Sequence, residues 1–307
     1  MRRRLAHSPE LQVAASKLAS MKDLVLQGPG LSSEALDTFK VICMPERITL
    51  YQRAARCFAV LEDAETRKAV RGLSDFWKLD HAFVDPKLRL ADFLLLVLDM
   101  DSTLVNIETL DETAAYAGKG AEVAAITEAA MRGEIDYKES LRRRVAMLAG
   151  ADAALLGRVY DEKLAFNDGA QQLVSACRRH GLKILLATGG FTFFTERIKA
   201  SLNIDYTRSN QLEIIDGRLT GQVTGPDGAE IVDAESKAQA LREACAEIGC
   251  PTAQSIAIGD GANDVRMMQL AGLSVAYRAK PVVREQATYA LNYSGLDGVL
   301  NWFVNGD

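Results

Sequence analysis

Histidine is scarce in this chain, with only His7, His81 and His180 among 307 residues, and the three are far apart. A Ser-His-Asp or Cys-His nucleophile system, which rests on an imidazole base, therefore finds little support. Cysteine is sparse too. Cys43, Cys57, Cys177, Cys245 and Cys250 are odd in number and form no C-x-x-C pair. This argues against a disulfide framework or a structural zinc site and suits a reducing compartment. Positive charge is not in excess either. With a formal net charge of −5, a broad electrostatic footprint for nucleic acid is not expected. The local run Arg142–Arg144 reads as a solvated helix face by default. No apolar run is long enough to span a bilayer, and the basic start MRRRLAHSPELQ lacks the apolar stretch of a secretory signal. A cytoplasmic protein without membrane or nucleic-acid partners is expected. Residues 1–20 read as a loosely attached extension, with Met21 an equally natural start.

The composition that remains, 48% hydrophobic and 25% charged, is that of an ordinary globular protein, long enough for one or two domains. From about Asp23 to Val84, short β-like runs (DLVLQ, RCFAVLE, HAFV) alternate with helical patterns (SSEALDTFK, AETRKAVRGLSDFW). This predicts a small α+β domain over residues 21–90, closing near Asp85-Pro86. It carries no cluster of chemistry.

After residue 92 the pattern changes. The apolar runs FLLLVLDMD, KILLATGG, SIAIGDGAND and LSVAY each end in a polar or glycine-rich loop, with helical patterns between them. Continuous apolar strands alternating with helices predict an α/β fold, a Rossmann-like parallel sheet covered on both faces. Such sheets bind ligands at the carboxyl ends of their strands. Two insertions interrupt the alternation. One, about residues 107–166, is helical and placed to act as a cap over the first strand end. The other, LEIIDGRLTGQV, carries the β-hairpin signal Asp216-Gly217. A second domain over residues 91–307 is expected.

Four strand-end motifs carry chemistry. Asp99 and Asp101 are two apart, so on an extended chain both carboxylates address one site; their repulsion calls for a divalent cation with hard oxygen ligands. Taken alone, a D-x-D pair is more often two solvated loop acids or a helix cap. Asp260 and Asp264, in GDGAND, follow the apolar run SIAI and form a second carboxylate cluster. Thr188-Gly189-Gly190 sits between an apolar run and a helical one, where a hydroxyl and backbone N–H groups can take an anion. Lys237, at a helix start, offers positive charge; in isolation it would be a solvent-facing lysine.

Jointly, the order D-M-D-S-T, T-G-G, Lys, G-D-G-A-N-D resembles the haloacid dehalogenase superfamily of aspartate-nucleophile phosphatases. The longer strings DMDSTLVNIETLDE, AMRGEIDYKESLRRRVAMLAG and TGGFTFFTERIK resemble its phosphoserine phosphatase family over about residues 91–300. The resemblance implies Mg²⁺-dependent hydrolysis of L-phosphoserine, the last step of serine biosynthesis, through an aspartyl-phosphate. Asp99 would be the nucleophile and Asp101 the general acid and base. Asp99, the Asp101 carbonyl and Asp260 would hold the metal, with Asp264 behind. Thr188, Gly189 and Lys237 would hold phosphoryl oxygens, and Asn263 the substrate phosphate. Glu108 would take the substrate ammonium and Arg144 its carboxylate, with Met131 and Tyr137 lining the cap. Residues 21–90 resemble the ACT-like amino-terminal regions of some members, and a homodimer is compatible with the resemblance.

Arg144 is also supported by its position. Leu141, Val145 and Leu148 form one apolar helix face, and Arg144 projects beside it while Arg142 and Arg143 point elsewhere. Three departures stand out: Thr188 for the usual Ser, Asn167-Asp168-Gly169 where Pro-Gly is common, and the short insertion Pro226–Ala229. Two other readings stay open at this point. One is a phosphatase or phosphotransferase for a different small phosphorylated metabolite; the other is a non-catalytic sensor of a phospho-ligand.

Overall fold

Short polar residues set where the helices of the N-terminal region begin. The Ser32 hydroxyl accepts from Ala35 N at 3.1 Å, and the Asp63 carboxylate accepts from Thr66 N at 2.8 Å. Each cap satisfies an N–H that the first helical turn leaves unpaired. The computed structural model describes residues 20–51 and 53–304, so the expected extension lies outside the described residues up to residue 19. The chain divides into two compact units, residues up to Leu90 together with those from Ala290, and Ala91–Tyr289.

The first unit runs β1 (Met21–Gln27), α1 (Ser33–Cys43), β2 (Arg47–Leu50), β3 (Ala54–Leu61), α2 (Ala64–Trp77) and β4 (Asp80–Val84). Its sheet has the order β2-β3-β1-β4, with every pair antiparallel. This βαββαβ order is the ferredoxin-like arrangement. Leu24, Leu26, Phe39, Cys57, Val60 and Val70 pack between sheet and helices. The sequence reading missed β2, a four-residue edge strand with no fully buried position to reveal its alternation.

The C-terminal segment belongs to this unit, whereas the sequence reading had assigned it to the second domain. Buried polar groups explain the attachment. Asp80 accepts the backbone N–H groups of Asn292 at 2.6 Å, Tyr293 at 3.1 Å and Ser294 at 2.8 Å, and Arg56 Nη2 donates to Trp302 O at 2.5 Å.

The second unit is built on β5 (Leu95–Leu98), whose four residues are all fully buried. The other strands are β6 (Lys183–Phe191), β7 (Tyr206–Ile215), β8 (Arg218–Thr224), β9 (Ser255–Gly259) and β10 (Leu273–Tyr277), with β11 (Tyr289–Leu291) at the boundary of the two units. They form one seven-stranded sheet in the order β11-β10-β9-β5-β6-β7-β8. β5 pairs in parallel with both β6 and β9, and β8 returns antiparallel along β7. The hairpin turn is Asp216-Gly217, both at positive φ (49° and 75°), as a two-residue connection requires.

Between β5 and β6 lie α3 (Thr109–Tyr116), α4 (Gly120–Met131), α5 (Tyr137–Ala146), α6 (Ala154–Glu162) and α7 (Ala170–Arg179). The first four form the cap. Its neck is an isolated antiparallel bridge, Val105 with Phe166, flanked by Asn106 N to Ala165 O at 2.9 Å and Asn167 N to Leu104 O at 3.0 Å. The hairpin props this cap from the side: Gly150 N donates to Leu219 O, and Leu219 N to Ala151 O. The remaining helices are α8 (Thr192–Leu202), α9 (Ala234–Ile248), α10 (Val265–Leu270) and the short α11 (Pro281–Arg284).

Candidate active site

β5 ends inside the sheet, and this delivers Asp99 to a buried position. The Asp99 amide still donates to Ile258 O at 3.0 Å, so the backbone is held in strand pairing while the side chain emerges at the sheet's edge. The chain then folds tightly through Met100–Leu104, with Ser102 left-handed at φ 55°. Asn167 stitches this turn to the cap neck. Its Nδ2 donates to Thr103 O at 2.8 Å and Val105 O at 3.0 Å. The departure at Asn167 thus supports the loop that carries the aspartates.

Asp99, Asp260 and Asp264 each place a carboxylate oxygen within 4.8 Å of the others. Lys237 is the counter-charge among them, with Nζ 2.6 Å from Asp99 Oδ1 and 2.8 Å from Asp264 Oδ1. It gets there because the Asp233 side chain caps α9, accepting from Ser236 N at 2.9 Å, so Lys237 occupies the first turn. Burial works against the Lys237 charge, but Asp264 and Asp99 overcome it and raise the ammonium's pKa. Asp264 is held at both oxygens: the second accepts from Gly261 N at 3.0 Å. Asp260 accepts from Thr103 Oγ1 at 3.0 Å and is pushed up to about 6 by burial and then by Asp264. Burial, with the Asp264 charge behind it, holds Asp99 well above the usual carboxylate range, against the pull of Lys237. One ammonium faces three carboxylates, so the pocket is short of positive charge. A hard-oxygen donor set of this kind fits a small divalent cation.

Asp101 has a different setting. It accepts from Thr109 N at 2.9 Å, and burial lifts it to about 7, helped by the neighbouring Glu108. Glu108 is itself fixed by Ser102 Oγ at 2.6 Å and raised by burial.

Thr188 and Gly189 were expected in a loop at a helix start. Instead β6 continues through them to Phe191 with a break in its pairing to β7, and α8 begins only at Thr192. Thr188 and Gly189 therefore sit at an irregular strand end rather than at a helix terminus. Both glycines are needed for close approach: a Cβ on Gly189 would run into Tyr137 Oη, and one on Gly190 would crowd Met100 and Asp101. Burial raises the Tyr137 hydroxyl to about 12, so it stays protonated against the glycine loop.

Asp99, Asp101, Asp260, Thr188, Gly189 and Gly190 line one cavity of ≈ 790 Å³, with Glu108, Met131, Tyr137, Arg144 and Asn263 on its walls. Lys237 and Asp264 are fully buried and do not line it. Met131 is only marginally engaged, being 68% exposed. Arg144 has a side chain only 15% exposed, against 48% for Arg142. Its Nε has no hydrogen-bond partner among the described residues, and Nη1 lies 3.8 Å from Asp111 Oδ1, an equally unpartnered atom. Asp111, Lys280 and Arg266 also line the cavity and were not singled out from sequence. Asp111 was traceable as the residue three after Glu108 on the same helix face, and Lys280 as one of two cations, with Arg278, that follow the fourth strand end.

Buried strand-end carboxylates around one lysine, beneath a helical cap, define a phosphoryl-transfer hydrolase. The haloacid dehalogenase-like hydrolase pattern matches residues 96–269, and the chain belongs to that family, among relatives that are phosphoserine phosphatases. A phosphoserine phosphatase of a Polaromonas species is 59% identical over 216 residues, spanning 70% of this chain and 92% of its own. The structure of a HAD-family hydrolase from Salmonella enterica serovar Typhi superposes with a TM-score of 0.82 at 31% identity, covering 93% of this chain and 99% of that one. A substrate-bound phosphoserine phosphatase complex superposes with a TM-score of 0.63 at 32% identity, covering 69% of this chain and 99% of that one. No helix among the described residues is long and apolar enough to cross a membrane.

Proposed function

We propose that this chain hydrolyses L-phosphoserine to L-serine and phosphate through an aspartyl-phosphate on Asp99, as the last step of serine biosynthesis. The observation that carries the reading is the crowding of Asp99, Asp260 and Asp264 around Lys237 beside Asp101. A binding module has no use for a buried carboxylate aimed at its ligand; a nucleophile does. Mg²⁺, bound by Asp99, Asp260 and the Asp101 carbonyl with Asp264 in support, would supply charge neutralisation at the phosphoryl oxygens.

The remaining steps belong to the chain. Lys237, the Thr188 hydroxyl and the Gly189 amide hold the phosphoryl group, with Asn263 at its edge, so that anionic Asp99 approaches phosphorus in line. Asp101, lifted to about 7, is partly protonated at neutral pH and donates to the departing serine oxygen. As a carboxylate it then accepts a proton from the water that opens the aspartyl-phosphate. Tyr137, packed on Gly189, excludes bulk water from above. Glu108 takes the substrate ammonium, and the unused Arg144 Nε and its fork take the carboxylate. The same proposal includes cytoplasmic residence, which five free thiols suit, and an ACT-like role for residues 21–90. The test is phosphate release from phosphoserine with and without Mg²⁺. Release that depends on the metal and prefers phosphoserine to phosphate esters lacking its amino and carboxyl groups is expected. Equal release from both would refute the substrate assignment.

A further inference from the structure

The phosphoryl-holding strand end contains a Gly-Gly peptide, the easiest peptide in a chain to rotate because neither neighbour carries a Cβ. Its orientation decides what the site presents. In the structure the Gly189–Gly190 peptide is held at both ends. Its N–H, on Gly190, donates to Thr188 Oγ1 at 2.8 Å, and its carbonyl, on Gly189, accepts from Asn210 Nδ2 at 2.7 Å. Because the Thr188 oxygen is accepting, its own proton is left free to be given to an anion. A flip of this peptide would remove that N–H and turn a carbonyl oxygen towards Thr188 Oγ1, which would then donate to it instead of to an anion.

Asn210 is fully buried and uses both ends of its amide. Its Oδ1 accepts from Val232 N at 2.8 Å, one residue before Asp233, the cap that places Lys237. Its backbone carbonyl accepts from Thr192 Oγ1 at 2.9 Å, which anchors the start of α8 to the same point. Asparagine is a poor strand former, so strand propensity does not account for it on β7. What accounts for it is two backbone groups, from two phosphate-holding segments, meeting at one buried point.

We propose that Asn210 is a positioning residue for phosphoryl transfer. It locks the Gly189–Gly190 peptide so that Thr188 donates, and it ties that loop to the segment leading into the Lys237 helix. The inference rests on the reading of Thr188, Gly189 and Lys237 as the phosphoryl-holding groups.

The test uses the full chain with Mg²⁺ and three variants, Asn210→Asp, Asn210→Ala and Thr188→Val. Asn210→Asp keeps the size and the acceptor for Val232 but, when ionised, sets an oxygen against the Gly189 carbonyl. The readouts are the inhibition constant of inorganic phosphate, and kcat and KM for phosphoserine and for phenyl phosphate. Asn210→Asp should weaken inorganic phosphate about tenfold or more and lower kcat/KM for both esters by a common factor, with a smaller loss for Asn210→Ala. The preference for phosphoserine over phenyl phosphate should hold within about twofold, since a general loosening of the fold would disturb Glu108 and Arg144 as well. Phosphate affinity within about twofold of wild type in both Asn210 variants, or a loss confined to phosphoserine, would overturn the inference. Thr188→Val separates the two levels. If it leaves phosphate affinity intact, the underlying phosphoryl reading fails and the inference falls with it. If it weakens phosphate while the Asn210 variants do not, only the role of Asn210 is refuted. Should Asn210→Asp not fold, the wild-type chain decides: the Asn210 side-chain amide resonances must shift as inorganic phosphate saturates the site, and unmoved resonances contradict the proposal.

Discussion

Asp80 in the first unit and Asp99 in the second are buried to nearly the same degree, 2% and 5% exposed, yet their surroundings are opposite in kind. Asp80 is met by three successive backbone N–H groups, of Asn292, Tyr293 and Ser294. These are neutral donors that consume its lone pairs, and the result is a structural clasp. Asp99 shares one lysine with Asp264 and faces Asp260 besides. Its lone pairs are not used up, and the charge around it does not balance. Burial of a carboxylate therefore does not mark chemistry. A local excess of like charge does, because it is relieved by taking up a cation, a ligand or a proton.

The contrast can be broken most severely at Asp99. Asp99→Asn should lower kcat for phosphoserine by roughly 10³-fold or more while leaving Tm close to wild type or above it, since it removes one of the repelling charges. A fall of less than about tenfold would place the nucleophile elsewhere. Next in size is Arg144→Ala. It should raise KM for phosphoserine by about ten- to a hundredfold and leave phenyl phosphate nearly unchanged. Unchanged selectivity would remove Arg144 from substrate recognition.

Asp80→Asn acts on stability instead. It should cost about 1.5–3 kcal/mol in denaturant unfolding of the first unit, with kcat per folded molecule retained. The smallest expected effect is that of pH on the metal-free chain. Asp260 at about 6 and Asp101 at about 7 both lie above an unfolded aspartate, so the folded chain holds extra protons. Their contribution is present below about pH 4 and is lost as pH rises through about 6 and 7. Mg²⁺ replaces those protons, so the rise in Tm that it gives should be larger near pH 7.5 than near pH 5. Equal rises would mean that these carboxylates do not feel the metal.

Much of this was legible in the sequence because strand ends announce themselves. Continuous apolar runs such as Leu95–Leu98 must be buried on both faces, and the polar residues after them must then gather at one edge. The hairpin was readable from Asp216-Gly217, and the half-buried setting of Arg144 from its place beside Leu141, Val145 and Leu148. What escaped was held by small sets of long-range hydrogen bonds, which leave no periodicity. The C-terminal segment joins the first unit through backbone amides meeting Asp80, 212 residues away in the chain for Asn292. Asn210 reads from sequence as one polar residue near a hairpin, although it bonds two segments of the site. The insertion at Pro226–Ala229 reads from sequence as a departure from the family pattern. In the structure it leads directly to Glu230, which lies 3.4 Å from both Lys138 and Arg142 on the cap helix α5.

The central claim is that Asp99 becomes covalently phosphorylated. Rapid acid quench of the Mg²⁺-loaded chain during turnover of ³²P-labelled phosphoserine, followed by peptide mapping, tests it directly. Label on the peptide that contains Asp99, and none in Asp99→Asn, is the predicted result. Turnover with no labelled peptide in single-turnover experiments, or label persisting in Asp99→Asn, would contradict it.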